Sequence, residues 1–534
     1  MAQDQAEDVR QEVNMQIIDN RALLLRTRSP QKFKIIPKHK VFPVQGGSEV
    51  LVNWGVDEVR VLRNLGFKDV PSPIHGRYAW PGKYRPMAHQ RETAAFSTLN
   101  RRCFILSDPG VGKTLSALWA ADYLMSCKKI RRCLIICPMS IMQSAWMGDI
   151  NKSVLHRSAI VAHHSQASRR IEMIQGDYEF VIINYDGLPL VAEEIKKDGR
   201  FDLVIADEAS NYSTSTTRRW KSLAKILTPE TYLWMMTGTP AAQSPLQAYG
   251  LAKLVNPTAV PNYFTAWRDK VMYKLTMFKW VPKATAKEAV FKALQPAIRF
   301  TKEQCLDLPP VITEVREVPM TPQQMKYYKL IKEQQIAMAA GETISAVNKA
   351  AVVGKLLQIS CGAAYTEDKQ TVEFDATPRM NVLLEVLKET ERKVIIFALF
   401  RSSIGIISEF LHKHGIASEE IHGGVTASHR GDIINRFQNA ENPRVLVMQP
   451  QATAHGITLT AADTVIFFGP LMSVEQYVQA ISRADRKGQD AAKVTVIQLQ
   501  GSPIEKKMFE AMNLKVDDHA LLTQMFDEEV RGEK

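Results

Sequence analysis

The sequence predicts an α/β protein with two parallel-sheet lobes, a helical insertion between them and a small β-rich domain at the N-terminus. Two observations lead to this prediction. Nearly continuous apolar runs alternate with helix-like stretches in two separate parts of the chain, which is typical of parallel strands buried on both faces of a sheet. The length of 534 residues exceeds what one hydrophobic core can organise, so about two to four domains are expected.

The N-terminal domain is expected to span residues 1–80 and to act as an accessory domain. Short apolar runs there alternate with proline and glycine, as in residues 33–37 and 50–54, and this pattern predicts β-strands. Between Arg21 and Ser48 the chain carries basic residues and no acidic one. This segment could lie along a phosphate backbone, or equally form a solvated face of the small domain. The basic residues are Arg21, Arg26, Arg28, Lys32, Lys34, Lys38 and Lys40.

The first lobe is expected over residues 81–257. Its apolar runs predict central strands at 134–137, 180–183, 203–206 and 233–236.

A phosphate-binding loop is predicted near the start of this lobe, where Ser107-Asp108-Pro109-Gly110-Val111-Gly112-Lys113-Thr114 stands between an apolar strand and a helix-like stretch. Glycines let the backbone N–H groups converge on an anion, the lysine reaches outer phosphates and the threonine hydroxyl can hold Mg²⁺. Ser107 replaces the first glycine of the strict pattern, and an ordinary strand-turn-helix with a surface lysine is the alternative. We expect ATP and Mg²⁺ as ligands, bound by Gly110, Val111, Gly112, Lys113 and Thr114.

Two carboxylates, Asp207 and Glu208, follow the buried strand at 203–206 directly. That position places them at the carboxyl end of the sheet beside the phosphate loop, where doubly wound folds bind ligands. We expect Asp207 to hold Mg²⁺ with Thr114, and Glu208 to polarise the attacking water.

Residues 258–377 lose the strand–helix alternation and are expected to form a mainly helical insertion. Within them, residues 263–283 interleave aromatic and basic side chains, which suits stacking on bases. A hairpin that packs on the first lobe is the alternative.

The second lobe is expected over residues 378–515, followed by a C-terminal tail at 516–534. Its strands are predicted at 394–397, 445–448, 464–467 and 494–497. If the run that starts at Gln479 is helical, Arg483 and Arg486 share a face and both could enter a cleft between the lobes to meet a γ-phosphate. A solvent-exposed basic helix is the alternative.

Composition limits the functional classes. The 68 Lys and Arg against 56 Asp and Glu give a net charge of +12, which favours a polyanionic partner. The six cysteines lack metal-ligand spacing and predict neither a zinc site nor a disulfide framework. No signal peptide or membrane-length apolar run is evident, so a cytoplasmic protein without a membrane partner is expected. We also expect a monomer. A bacterial or phage-infected cell, with the protein at the nucleoid, is the expected setting.

These motifs occur in the order found in superfamily-two helicases, and the chain resembles their Swi/Snf-like branch of DNA translocases from about Tyr84 to Gln500. The resemblance implies two RecA-like lobes, an ATPase activity and DNA as partner. It implies that Gln90 reads adenine, that Gln479 contacts the nucleotide and that a further set couples ATP state to DNA. That set is Pro138, Thr237, Gly238, Thr239 and Gly456.

Several positions depart from the family pattern. Ser210 stands where histidine is frequent, His455 replaces a glycine and Thr458 an asparagine. We expect hydrolysis to survive these changes and the coupling to differ.

The resulting expectation is an ATP-driven DNA translocase that unwinds, anneals or migrates branched DNA in replication, recombination or repair, with possible protein partners there. One alternative is an RNA helicase of the DEAD-box kind. The other is a motor subunit or DNA-binding scaffold that cuts nothing itself.

Overall fold

The computed structural model describes residues 15–514 apart from 68, 239, 242–243, 276–279, 306–307, 340–345, 366–369, 454–456 and 487. Within this part of the chain the predicted fold class is confirmed. Two parallel sheets, one of seven strands and one of six, form two α/β lobes, and a four-stranded antiparallel sheet precedes them.

The N-terminal sheet has the order β1-β2-β4-β3 and packs against two helices. Its elements are β1 Met15–Ile18, β2 Ala22–Thr27, β3 His39–Val44, β4 Gly47–Asn53, α1 Val56–Asn64 and α2 Ile74–Arg77. Strands β2 and β4 alternate buried and more exposed residues, because one face of an antiparallel sheet covers a core while the other meets solvent.

This N-terminal module shares its core with the first lobe. Leu23, Val52 and Trp54 belong to the same buried cluster as Trp119 and Trp234. The guanidinium of Arg60 on α1 donates to the carbonyl of Thr98 at 2.6 Å and to the hydroxyl of Tyr232 at 2.8 Å. The module is therefore packed onto the first lobe and is not linked to it by a flexible tether.

The first lobe is built on a parallel sheet of order β13-β5-β10-β9-β6-β8-β7. Its strands are β5 Arg102–Ile105, β6 Arg132–Cys137, β7 Ala159–Val161, β8 Phe180–Asn184, β9 Phe201–Asp207 and β10 Tyr232–Met236. Its helices are α3 Ala88–Leu99, α4 Lys113–Ser126, α5 Gly148–Ser153, α6 Ala167–Gln175, α7 Leu188–Asp198, α8 Arg218–Ile226 and α9 Ala248–Val255. The strands predicted from apolar runs all fall in this sheet, with one core cluster on each face.

The segment 258–377 differs from the separate helical insertion expected from its sequence, because it divides between the two lobes. Its elements are α10 Phe264–Val271, β11 Met272–Lys274, β12 Trp280–Pro282, α11 Ala286–Ala293, β13 Ala297–Ile298, α12 Lys302–Cys305, β14 Val311–Glu317, α13 Pro322–Ala339, α14 Ala346–Ser360, β15 Ala363–Tyr365 and β16 Thr371–Glu373. Strand β13 pairs with β5, so the first sheet extends past the expected boundary at 257. Strand β14 joins the second sheet instead. The two-residue β13 and the seven-residue β14 cover the edges of β5 and β21, which would otherwise expose unpaired backbone groups.

The second lobe has the strand order β14-β21-β20-β17-β19-β18. Its remaining elements are α15 Thr377–Glu389, β17 Lys393–Phe397, α16 Arg401–Lys413, β18 Ser418–Ile421, α17 Ala427–Asn439, β19 Val445–Met448, β20 Ala462–Phe467, α18 Val474–Ile481, β21 Val494–Gln500 and α19 Pro503–Asn513. Two core clusters again cover the faces of the sheet. None of the described helices is both long and apolar enough to cross a membrane.

Candidate functional site

The segment 107–114, predicted to be a phosphate loop, leads from β5 into α4, at the position expected from the sequence. Gly110 and Gly112 adopt φ values of +91° and +83°, a left-handed conformation that glycine takes without steric cost. A Cβ atom at Gly112 would lie 2.0 Å from the side-chain nitrogen of Gln90. The loop therefore depends on glycine both for its curvature and for the close approach of Gln90.

Lys113 begins helix α4 and reaches back across the loop. Its ammonium donates to the carbonyls of Ser107 at 2.7 Å and Asp108 at 3.1 Å. Burial lowers the pKa of Lys113, and the neighbouring carboxylates of Glu208 and Asp207 oppose that shift. The lysine is thus a cation held inside the loop, between backbone carbonyls and an acidic pair.

Ser107, which departs from the usual loop sequence, has a structural role. Its hydroxyl accepts a hydrogen bond from the backbone N–H of Phe300 at 3.1 Å, and the N–H of Asp108 donates to the Phe300 carbonyl at 3.0 Å. The backbone N–H of Lys302 donates to the Asp108 carboxylate at 3.2 Å. The segment after β13 therefore braces the loop, a contact that local sequence pattern does not reveal.

Asp207 is the last residue of β9, and Glu208 follows it with φ of +47°. The indole N–H of Trp146 donates to Asp207 Oδ2 at 3.0 Å, and the backbone N–H of Glu208 donates to Oδ1 at 3.0 Å. Burial, reinforced by the charge of Asp207, raises the pKa of Glu208 to about 7. Burial also raises the pKa of Asp207, against the pull of Lys113. The pair is an electrostatically costly site that a cation would relieve.

A magnesium ion fits this site by the chemistry of its donors. Thr114 and Asp207 offer a hydroxyl and a carboxylate, the hard oxygen ligands that Mg²⁺ prefers. Among the described residues no group of three or more acidic, histidine or cysteine side chains forms a protein-only metal cage.

The two arginines of the second lobe do not lie on a helix face, which corrects the sequence expectation. Helix α18 ends at Ile481, and Arg483 and Arg486 follow in a series of tight turns. The Arg483 carbonyl accepts from the N–H of Leu459 at 2.9 Å, so the turn is tied to the chain before β20 instead of continuing the helix. We call residues 482–489, without the undescribed 487, the arginine turn.

The arginine turn nevertheless faces the phosphate loop. The Cγ atom of Arg486 lies 3.7 Å from the point where a Cβ on Gly110 would sit. Burial lowers the pKa of Arg486, while the carboxylate of Asp149 raises it. Burial and the charge of Arg486 together lower the pKa of Arg483 to about 10, against the pull of Glu208.

A cavity of about 450 Å³ opens where the lobes meet. Glu208 and Ser210 line it from the first lobe, and Gln479 and Arg483 line it from the second. Gln479 donates to the carboxylate of Glu475 at 3.2 Å. The predicted carboxylate and arginine thus border the same space, although they stand 275 positions apart, from 208 to 483.

The residues expected to read adenine or to couple the lobes fall close to the loop where the structure describes them. Gln90 accepts from the backbone N–H of Met87 at 3.0 Å. A Cβ on Gly238 would lie 2.9 Å from the ring of Pro109, so this residue packs directly on the phosphate loop, and the N–H of Thr237 donates to the carbonyl of Ile105 at 3.1 Å. Pro138 lies just after β6, while Thr239 and Gly456 fall outside the described residues.

The basic residues of the N-terminal module are exposed. Arg26, Arg28, Lys32 and Lys34 all lie at the surface, as do Arg21, Lys38 and Lys40. Arg26 forms an ion pair with Glu49 at 2.8 Å, so its charge is partly compensated. That these cations contact nucleic acid stays a prediction.

The segment 263–283, which interleaves aromatic and basic side chains, includes helix α10 and the paired strands β11 and β12. Some of its aromatic rings are packed and others are exposed. Trp267 is fully buried in the first-lobe core, and the guanidinium of Arg268 lies 4.1 Å from the centre of the Trp280 ring. Tyr263 and Tyr273 are exposed by 77% and 45%. Part of the segment therefore packs on the first lobe, while three rings, those of Tyr263, Phe264 and Tyr273, are exposed to solvent. Phe278 and Lys279 lie outside the described residues.

The fold and site define a two-lobed α/β protein with a phosphate loop on one lobe and a buried arginine pair on the other. The SNF2-related domain family matches residues 49–361, and the helicase conserved C-terminal domain family matches residues 378–488. Since the first match alone covers more than half of the chain, the protein belongs to the SNF2-related family.

Similar proteins include Protein CHROMATIN REMODELING 5 of Arabidopsis thaliana, 26% identical over 82% of this chain and 27% of the relative. An uncharacterized ATP-dependent helicase of Mycoplasma genitalium is 24% identical over 77% of this chain and 39% of its own length. Among solved structures, the Sulfolobus solfataricus SWI2/SNF2 ATPase core in complex with dsDNA is 21% identical, with a TM-score of 0.40, over 85% of this chain and 94% of that one. The chain spans well under half of the length of both curated relatives.

Proposed function

We propose that the protein is an ATP-dependent DNA translocase that couples ATP hydrolysis to remodelling of duplex or branched DNA. One observation carries this proposal. The phosphate loop and acidic pair of the first lobe face the arginine turn of the second, with Glu208 and Arg483 lining one cavity. Hydrolysis of a nucleoside triphosphate needs these parts together.

Each part has a distinct task in this proposal. The curled loop and Lys113 bind the phosphates, and Thr114 and Asp207 hold Mg²⁺, which supplies charge neutralisation when bound. Glu208 orients and deprotonates the attacking water, and its pKa of about 7 suits a general base near neutral pH. Arg483 and Arg486 stabilise the negative charge that develops in the transition state.

Hydrolysis is linked to movement of the lobes because the site is divided between them. The arginines can complete the site only while the cleft is closed, so hydrolysis and product release are linked to opening and closing. Gly238, packed on Pro109 of the phosphate loop, belongs to the expected coupling set and would carry the nucleotide state toward the bound strand.

DNA is the partner that the charge of the chain and its relatives favour. The net charge is +12, and the N-terminal module exposes its cations at the surface. Two relatives are named as a chromatin-remodelling protein and as an ATP-dependent helicase. We propose that the N-terminal cations and the exposed hairpin tyrosines select branched over plain duplex DNA, in replication, recombination or repair.

The test is the ATPase rate of the full chain with single-stranded, duplex, forked and four-way DNA and with duplex RNA, beside Lys113→Ala. We expect stimulation by DNA, greatest with branched forms, and no turnover in the variant. Stimulation by RNA alone would favour the RNA helicase. DNA binding without hydrolysis by the unaltered protein would overturn the proposal in favour of a scaffold.

A further inference from the structure

One ion pair crosses between the lobes beside the nucleotide site. The ammonium of Lys302, on the segment that braces the phosphate loop, contacts Asp485 Oδ2 at 2.7 Å and the Asp485 carbonyl at 2.7 Å. Asp485 lies in the arginine turn, between Arg483 and Arg486. Both side chains of the pair are largely buried, with 14% and 12% of their surface exposed.

The other end of Lys302 is attached to the phosphate loop. Its backbone N–H donates to the carboxylate of Asp108, and its Cε atom lies 3.6 Å from the point where a Cβ on Gly110 would sit. The Cγ atom of Arg486 lies 3.7 Å from the same point. One residue therefore contacts the loop of the first lobe through its backbone and the arginine turn of the second through its side chain.

From this geometry we propose that Lys302 is a positioning residue that holds the arginine turn against the phosphate loop, through its ion pair with Asp485. This inference rests on the proposed function, because it assigns Lys302 the placement of groups that act in hydrolysis. Lys302 itself contacts Asp108 of the loop and Asp485 of the turn, and it has no role in binding the nucleotide in this proposal.

A buried ion pair suits this task because it is strong only when both charges meet in one geometry. Burial lowers the pKa of Lys302, and Asp485 opposes that shift by pairing with it. If the turn moves away, a desolvated ammonium and a desolvated carboxylate are both left without their partner. The pair therefore favours one position of the arginine turn relative to the phosphate loop. This matters because small displacements of catalytic groups lower the rate by large factors.

The first test is steady-state ATPase with saturating DNA for Lys302→Met and Asp485→Asn. We expect kcat to fall by about tenfold in each, with the affinity for a fluorescent ADP analogue changed less than about twofold. The double variant should fall little further than either single one, because the two residues act as one unit. Lys302→Arg, which can still pair with the carboxylate, should recover part of the rate.

The matched control is Lys292→Met, which removes a lysine paired with Glu288 at 2.6 Å on the exposed face of α11. It should leave kcat unchanged. An unchanged kcat in Lys302→Met, additive losses in the double variant, or a loss of nucleotide affinity equal to the loss of kcat would overturn the proposal. If Lys302→Met does not fold, Asp485→Asn and Lys302→Arg carry the same comparison.

A second test does not depend on activity. Hydrogen–deuterium exchange of the nucleotide-free protein should show faster exchange in the peptide covering 481–489 of Lys302→Met, and not in the control. Unchanged exchange there would mean that the pair does not hold the turn. If the unaltered protein hydrolyses no ATP with any nucleic acid, the proposed function fails, while the exchange experiment still decides whether Lys302 tethers the turn.

Discussion

The first-lobe wall of the cleft carries the acids Asp207 and Glu208, and the second-lobe wall carries Arg483 and Arg486. Burial disfavours the charged form of all four side chains. On the first-lobe wall, burial raises the pKa of Asp207 and Glu208, so both acids resist ionisation. On the second-lobe wall, burial lowers the pKa of Arg483 and Arg486. Within the first lobe Lys113 opposes the pKa shifts of both acids, and across the cleft Glu208 and Arg483 oppose each other's shift. The acids lie on one lobe and the arginines on the other, so neither lobe alone contains all the side chains of the proposed site.

The largest expected effect comes from removing a cation of the second wall. Arg486→Ala should lower kcat by about 10³-fold with little change in nucleotide affinity, because the arginine acts on charge that develops only during reaction. ATPase rates and binding of a fluorescent ADP analogue measure the two quantities. Arg436→Ala, which removes an exposed arginine paired with Glu419 at 2.7 Å, is the control. Unchanged turnover in Arg486→Ala would show that this arginine has no role in hydrolysis.

A somewhat smaller effect is expected on the first wall. Glu208→Gln keeps the shape of the side chain and removes the base, so kcat should fall by about 10²-fold while nucleotide binding persists. Single-turnover hydrolysis measures the chemical step directly. Glu172→Gln, at an exposed ion pair with Arg169, should behave like the unaltered protein. A Glu208→Gln variant with full activity would assign the base elsewhere.

The N-terminal cations lie outside both walls and should affect DNA binding without affecting chemistry. Lys32→Ala with Lys34→Ala should weaken DNA binding and reduce the slope of log affinity against log salt by about 2, with basal ATPase unchanged. Lys287→Ala with Lys292→Ala is the control for loss of two surface charges. Point variants are preferable to deletion of residues 1–80, since the module shares a core with the first lobe. An unaltered slope would mean that these two lysines do not contact DNA phosphates and only form a solvent-exposed face.

The smallest expected effect is on stability. The pKa of Glu208 is raised from 4.5 to about 7 in the folded protein, so the folded state holds its proton more tightly than the unfolded state. Stability therefore falls as pH rises from about 4.5 to about 7, and the cost is complete above that range. Glu208→Gln should be more stable than the unaltered protein at pH 8 by about 1 to 3 kcal/mol and should lose that advantage near pH 5. Thermal unfolding in EDTA, without nucleotide, measures this, and a pH-independent difference would contradict it.

Much of the first wall could be predicted from sequence because its residues are defined by near neighbours. The loop glycines, Lys113 and the acids at the end of β9 all follow from short-range spacing between a buried strand and a helix. Apolar runs likewise predicted the strands of both sheets, since parallel strands are buried on two faces.

The second wall could not be predicted as well, because long-range contacts shape it. Helix α18 stops at Ile481, and the bond from Leu459 to the Arg483 carbonyl fixes the turn that follows. The bond between Phe300 and Ser107 joins residues 193 positions apart, and the pair of Lys302 with Asp485 joins residues 183 positions apart. No local pattern marks such partners. For the same reason, the segment 258–377 looked like a separate helical unit although it gives one strand to each sheet.

In the proposed function, the two lobes together complete one hydrolytic site. The most direct measurement is a structure of the full chain with duplex DNA and a magnesium–ADP–aluminium fluoride complex. We expect the fluoride group to lie between Lys113 and the arginine turn, with a guanidinium of Arg483 or Arg486 within hydrogen-bonding distance of it, at about 3 Å. A complex in which the nucleotide is bound, the lobes are closed and both arginines point away from the fluoride would contradict the account.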